Sequence, residues 1–144
     1  MTKILVLHGV NLNYLGKREP LVYGSVTLEN LNLTLQKQAK GNNVSLTCLQ
    51  SNSESEFINA LYTAADEAVD YLIINPGAWT HTSIALRDAL LAIEIKFVEV
   101  HISNIYAREL FRQHSYLSDI AMGVVIGFGI NSYSLALKAI LESN

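Results

Sequence analysis

A chain of 144 residues, half of them hydrophobic and 16% charged, is the size of one domain: long enough to bury a core, too short for two ordinary ones. Its net charge of −3, with no Lys/Arg cluster, excludes an electrostatic footprint for nucleic acid or an anionic membrane. Few charges on so apolar a chain make oligomerisation the expected way of covering surface.

The amino terminus, Met1-Thr2-Lys3-Ile4, leads straight into a strand pattern without the basic, apolar and small-residue succession of a signal peptide. A cytoplasmic location is expected. Short β-branched runs then alternate with segments of helical period, predicting strands over 3–8, 44–50, 71–75, 97–102 and 123–126. Helices are predicted over 27–40, 54–69, 83–93, 105–113 and 132–142, with Gly41 stopping the first. The pattern is that of an α/β protein: a five-stranded parallel sheet in flavodoxin-like order between two helical layers, spanning 1–144 as a single catalytic domain. Cys48 falls inside an apolar strand-like run and reads as a buried structural thiol. One cysteine gives no disulfide framework, and no Cys/His metal pattern is present. The apolar run over 120–130 is broken by glycines and is well short of the roughly 20 residues that span a bilayer.

Ligands in such sheets bind beyond the carboxyl ends of the strands. One connection there stands out, because 9–26 runs without a periodic segment, far beyond the roughly 2–6 residues normal for a βα loop. It carries Asn11, Asn13, Arg18, Glu19, Pro20 and Tyr23 and is expected to be a functional lid. The loop after the third strand, Asn75-Pro76-Gly77-Ala78-Trp79-Thr80-His81-Thr82-Ser83, should turn sharply and then cap a helix through Thr80, Thr82 or Ser83, leaving Asn75 and His81 facing the cleft. His81 and Asp88, seven apart, are expected on one helix face, directed at a shared ligand or a neighbouring subunit. The fourth strand ends Glu99-Val100-His101-Ile102-Ser103-Asn104, which puts Glu99 and His101 on one strand face, where a carboxylate orients an imidazole as a general acid. The amides of Ile102 and Ser103 would open the next helix and offer an anion site.

An arginine close to a phenol favours the phenolate, so Arg18 and Tyr23 in one lid make a candidate base. Lys3 and Lys96 begin strands at the far edge of the sheet, Lys37, Lys40 and Lys138 lie on helices, and only Lys17 is near the loop. An imine mechanism thus has no well-placed lysine. A tyrosine base, a histidine acid and a carboxylate cradle, with no metal ligands or thiol nucleophile, suit elimination of water beside a carbonyl.

The loop Gly9-Val10-Asn11-Leu12-Asn13-Tyr14-Leu15-Gly16-Lys17-Arg18-Glu19-Pro20-Leu21-Val22-Tyr23-Gly24 resembles the amino-terminal signature of type II 3-dehydroquinate dehydratases. The stretches around Asn75 to Ser83 and Glu99 to Asn104 resemble that family's central motifs, and Arg108-Glu109 through Arg112-Gln113-His114-Ser115 resembles the segment that follows. The resemblance implies a flavodoxin-like fold, a homododecamer built from trimers, no cofactor and no metal. It also implies conversion of 3-dehydroquinate to 3-dehydroshikimate by anti elimination through an enolate. Carried over by position, Tyr23 would be the base, Arg18 its activator, and His101 the proton donor supported by Glu99. Asn11 would hold a water on the enolate, while Asn75 and the amides of Ile102 and Ser103 would bind the carboxylate. His81 and Arg112 would hold ring hydroxyls, and Asp88 would reach a neighbouring subunit's site. The family usually has proline where Val10 stands, a smaller aliphatic residue at Tyr14 and tyrosine at Trp79, so altered pocket edges are expected there. The alternative reading is a flavodoxin-like ligand-binding module without catalysis, which would need a phosphate loop or acidic cluster where His8, Gly9 and Asn75 stand.

Overall fold

A computed structural model describes residues 1–143. Strands β1 (Thr2–His8), β2 (Val44–Gln50), β3 (Tyr71–Asn75), β4 (Lys96–His101) and β5 (Gly123–Ile126) form one sheet in the order β2-β1-β3-β4-β5, each neighbouring pair parallel. Between them run a single turn α1 (Pro20–Tyr23) and the longer helices α2 (Leu28–Ala39), α3 (Glu54–Asp66), α4 (Ile84–Ile93) and α5 (Asn131–Ser143). This is the expected flavodoxin-like arrangement. None of the described helices is long and apolar enough to cross a membrane.

Why this sheet forms can be read from its central strands, which are apolar on both faces, as a sheet covered by helices requires. Side chains alternate between faces along a strand. Ile4 and Val6 of β1, Ile73 of β3 and Val98 and Val100 of β4 pack with Leu31, Leu35, Tyr133, Leu137 and Ile140 of α2 and α5. Their strand neighbours Leu5, Leu7, Leu72, Ile74 and Phe97 pack with Phe57, Leu61, Leu86 and Leu90 of α3 and α4. Each fully buried Leu, Ile or Phe stabilises the fold by roughly 1.5–3 kcal/mol, so neither face can be surrendered. The helices start where hydroxyls take up free amides. Thr27, Ser53 and Ser83 accept from the amides three residues on, at 3.2, 3.3 and 2.9 Å. Past the end of α2, Gly41 adopts φ +86°, the left-handed backbone that glycine permits at little cost.

The predicted helix over 105–113 does not form. Its place is taken by two 3-10 turns, Ile105–Ala107 and Leu110–Arg112, joined through the extended backbone of Arg108 and Glu109. Asn104 starts the first turn, its Oδ1 accepting from the Tyr106 amide at 3.1 Å. Among the apolar residues of this segment Ile105 is buried while Leu110 and Phe111 are 80% and 68% exposed, so no continuous stripe faces the core to stabilise a helix. The long connection over 9–26 likewise holds only the 3-10 turn Leu12–Tyr14 and α1.

Alternation sends His8, at the end of β1, to the α2/α5 face, where it is fully buried. Burial lowers its pKa to about 4, against the opposing effect of a hydrogen bond to Asn32. The unfolded chain takes up a proton at this ring near 6.5 and the folded chain only near 4. Stability conferred by the neutral ring is therefore complete above the higher value and is lost as pH falls through that window, by about 3 kcal/mol for a shift of this size. The denaturant midpoint should fall between pH 6.5 and 4, and a His8→Gln variant, measured the same way, should show a flatter decline.

Candidate active site

The register brings His8, Gln50 and Asn75 level at the carboxyl ends of β1, β2 and β3. A cavity of about 270 Å³ opens beyond them. Its near wall is two loops meshed at their glycines. The Gly9 amide donates to the Asn75 carbonyl at 2.7 Å, and a Cβ on Gly9 would come within 2.6 Å of the Pro76 carbonyl. Gly77, at φ +60°, sits under Val10, whose carbonyl oxygen would be 2.9 Å from an added Cβ. The root of the long loop is tied further by Gln50, which donates to the Gly9 carbonyl at 3.1 Å, and by Asn52, whose Oδ1 accepts from the Asn11 amide at 2.8 Å. Asn11 itself holds φ 70°, a left-handed conformation that asparagine tolerates better than most residues.

The far wall comes from β4. Glu99 and His101, two apart, share the α3/α4 face, and Nε2 of His101 lies 2.5 Å from Oε2 of Glu99. Glu99 is fully buried, a position that demands partners for a carboxylate. Ser118 donates to it at 2.8 Å, Ser115 at 3.0 and 3.1 Å, and Thr80 at 3.3 Å. Burial alone would push the Glu99 carboxyl up, but the bond and charge of His101 together with the serine hydroxyls hold it below the ordinary carboxylate range. The carboxylate thus stays ionised, grips one nitrogen of the imidazole and leaves the other for the cavity, which His101 lines.

Over this space lies α1. The Tyr23 hydroxyl accepts from Nη1 of Arg108 at 2.8 Å, and the same nitrogen lies 3.2 Å from the Ser103 hydroxyl, which accepts from it. Arg18 stacks on the phenol, its guanidinium carbon 4.6 Å from the ring centroid, with that of Arg108 at 5.3 Å. One phenol is therefore held between two guanidinium groups, and the one touching its oxygen is Arg108. Arg108 had no role assigned from the sequence, because a residue inside a supposed helix carries no signal of where its side chain ends. The extended backbone at 108–109 is what lets it reach the lid.

Of the residues singled out in the sequence, Asn11, Arg18, Tyr23, Asn75, His81, His101, Ile102, Ser103 and Arg112 line this cavity. Glu99 sits behind His101. Asp88 is exposed on α4 and is not part of the lining. The expectation that His81 and Asp88 share a helix face fails: His81 ends the 3-10 turn Gly77–His81, and α4 begins only at Ile84 after Ser83 has capped it. Helical spacing has no meaning across that break. The His81 ring lies over that of His101, 6.3 Å between centroids and 23° between planes. Its Nδ1 donates to the His114 carbonyl at 2.8 Å. Partial burial holds its pKa below the usual value despite that bond. Ile102 and Ser103 follow β4 directly, but a short 3-10 turn comes next, so no α-helix dipole stands behind their amides. Val10 lines the cavity. Tyr14 and Trp79 do not: Tyr14 is exposed beneath Lys17, and Trp79 meets Phe57 edge-on at 5.2 Å within the α3/α4 layer. No lysine is among the lining residues described.

Residues 2–141 match the family model described as dehydroquinase class II. A protein named 3-dehydroquinate dehydratase from Legionella pneumophila (strain Corby) is 56% identical over 142 residues, covering 99% of this chain and 98% of its own. One named 3-dehydroquinate dehydratase 1 from Pseudomonas aeruginosa is 56% identical over 142 residues, covering 99% and 97%. Among solved structures, a type II dehydroquinase from Butyrivibrio crossotus superposes with a TM-score of 0.94 at 41% identity, covering 98% of this chain and 97% of its own. The match runs through both walls of the cavity and the loop above it, and the chain belongs to the class II dehydroquinase family.

Proposed function

We propose that this chain, acting as one catalytic domain, is a 3-dehydroquinate dehydratase that forms 3-dehydroshikimate by anti elimination through an enolate. Tyr23, as phenolate, removes a proton from the carbon beside the ketone, and the electron pair moves onto the carbonyl oxygen. As the enolate collapses, His101 protonates the departing hydroxyl, which leaves as water. Asn11 holds a water against the enolate oxygen. Asn75 and the amides of Ile102 and Ser103 take the carboxylate, and His81 and Arg112 take the ring hydroxyls.

One observation carries the reading. Tyr23 and His101 line the same cavity from different segments, each with a charged partner bonded to its reacting group: Arg108 at the phenol oxygen and Glu99 at the imidazole. Cationic donors placed where negative charge must sit, and a carboxylate placed behind a proton donor, are what an acid–base elimination needs. The lysine-free lining argues for this route over an imine. The proposal extends to a cytoplasmic homododecamer, a tetramer of trimers, in which Asp88, exposed in the monomer, reaches a neighbour's cavity. The reaction serves aromatic amino acid biosynthesis or quinate breakdown.

Incubation with 3-dehydroquinate should generate the ultraviolet absorbance of a conjugated enone; a silent trace would leave the rival, a binding module without catalysis. Tyr23→Phe should lower kcat by roughly 10²- to 10⁴-fold, the usual contribution of a general base, and a loss of only a few-fold would rule out Tyr23 as the base. Arg108→Ala should cost about tenfold to a hundredfold, the scale of one charged hydrogen bond. Borohydride added during turnover should leave activity unchanged, whereas inactivation would point to an imine.

A further inference from the structure

From Asn75 at the cavity a chain of hydrogen bonds runs inward through three side chains that the elimination does not use, Tyr133, His8 and Asn32. Asn75 is 3% exposed, and His8 and Tyr133 are fully buried. The Gly77 amide donates to Oδ1 of Asn75 at 3.1 Å. Nδ2 of Asn75 donates to the Tyr133 hydroxyl at 2.9 Å. That hydroxyl lies 3.0 Å from Nδ1 of His8, and Nε2 of His8 lies 2.8 Å from Oδ1 of Asn32 on α2.

Most links of such a chain could run either way, since hydroxyls, amides and imidazoles both donate and accept. One cannot. A backbone N–H only donates, so the Gly77 amide compels Asn75 to turn its oxygen toward β3's own loop. The NH₂ must then face Tyr133, whose oxygen accepts and whose proton passes to His8. Nδ1 of His8 is thereby bare, the single proton of the neutral ring sits on Nε2, and it goes to Asn32. The placement of Asn32 with its oxygen toward the ring agrees with that direction. Burial supports it too, since it keeps His8 neutral and pushes the Tyr133 phenol up, so that the hydroxyl keeps its proton.

We infer that Tyr133 and His8 are positioning residues for ligand binding: with the Gly77 amide they lock the Asn75 carboxamide in one orientation, leaving its second N–H as the group presented to an anion in the cavity. The inference rests on the reading that Asn75 holds the substrate carboxylate. An asparagine free to turn over would present its oxygen to that carboxylate half the time, and oxygen facing oxygen repels. The lock removes this possibility before the substrate arrives, which is preorganisation by hydrogen-bond direction rather than by packing.

Because a carboxylate contact is made equally in ground and transition states, its loss raises KM and spares kcat. Tyr133→Phe should therefore raise KM for 3-dehydroquinate about tenfold, one hydrogen bond's worth, with kcat within about twofold. His8→Leu, which removes the acceptor for the Tyr133 proton, should raise KM in the same direction, and His8→Gln, which returns an acceptor oxygen, should restore most of the loss. Equal KM values for the Leu and Gln variants would make the effect one of packing and overturn the inference. So would an unchanged KM in an active Tyr133→Phe enzyme, without touching the proposed activity. The wild-type protein offers a test that needs neither turnover nor a variant: the ¹⁵N spectrum of the His8 imidazole at pH 7 should show the proton on Nε2 and a hydrogen-bonded, unprotonated Nδ1. A proton on Nδ1 would reverse the chain and end the inference. A wild-type enzyme that leaves 3-dehydroquinate untouched would instead remove the functional reading on which it stands.

Discussion

Everything at the working end of this molecule depends on a sheet that is buried on both sides. Because each strand residue must commit to one helical layer or the other, the polar groups at the strand ends inherit a face from the apolar residues before them. Ile73 sends Asn75 toward α5, where it finds Tyr133. Phe97 sends Glu99 and His101 to the α3/α4 side, where they find Thr80, Ser115 and Ser118. The cavity lies at the rim where these two polar systems come closest. Moving either strand by one residue would exchange the faces of every side chain along it, so the hydrophobic core and the site are specified by the same register.

The two systems solve different problems of burial. Glu99 is a charge in the interior, which is tolerable only with several strong partners. It has three hydroxyls and one imidazole. Hydroxyls can stabilise a carboxylate without adding a second full charge, so the field felt by His101 is dominated by Glu99 itself. On the other face no charge is buried among the described residues. His8 is neutral, Tyr133 is neutral, and the order there comes from the direction of hydrogen bonds starting at one backbone amide.

Much of the fold was legible in the sequence because two-sided apolar strands and serine- or threonine-capped helices leave strong periodic marks. All five strands and their order follow from that pattern. The stretch after β4 was not legible. The sequence predicts a helix over 105–113 there, yet Leu110 and Phe111 face outward while Ile105 alone of the three is buried, and two 3-10 turns with an extended link between them stand in its place. The same blindness hid Arg108 and wrongly joined His81 to Asp88, since spacing arguments assume an unbroken helix. Glu99 and His101 could be paired from strand geometry alone. Tyr23 could not be chosen among seven tyrosines by periodicity; its company in an unusually long loop, and the family likeness of that loop, singled it out. Trp79 illustrates the opposite error, a bulky residue beside the cavity in sequence that turns inward to Phe57 in space.

The meshing of Gly9 with Pro76 and of Gly77 with Val10 leaves no room for a methyl group on either glycine. An engineer wishing to recut the cavity for a bulkier ring would therefore find the two glycines closed to substitution. Val10 and Ala78, their immediate neighbours, point into the same space and offer the natural handholds: a smaller or larger side chain at either would change the cavity's shape while the backbone seam between the loops stayed shut.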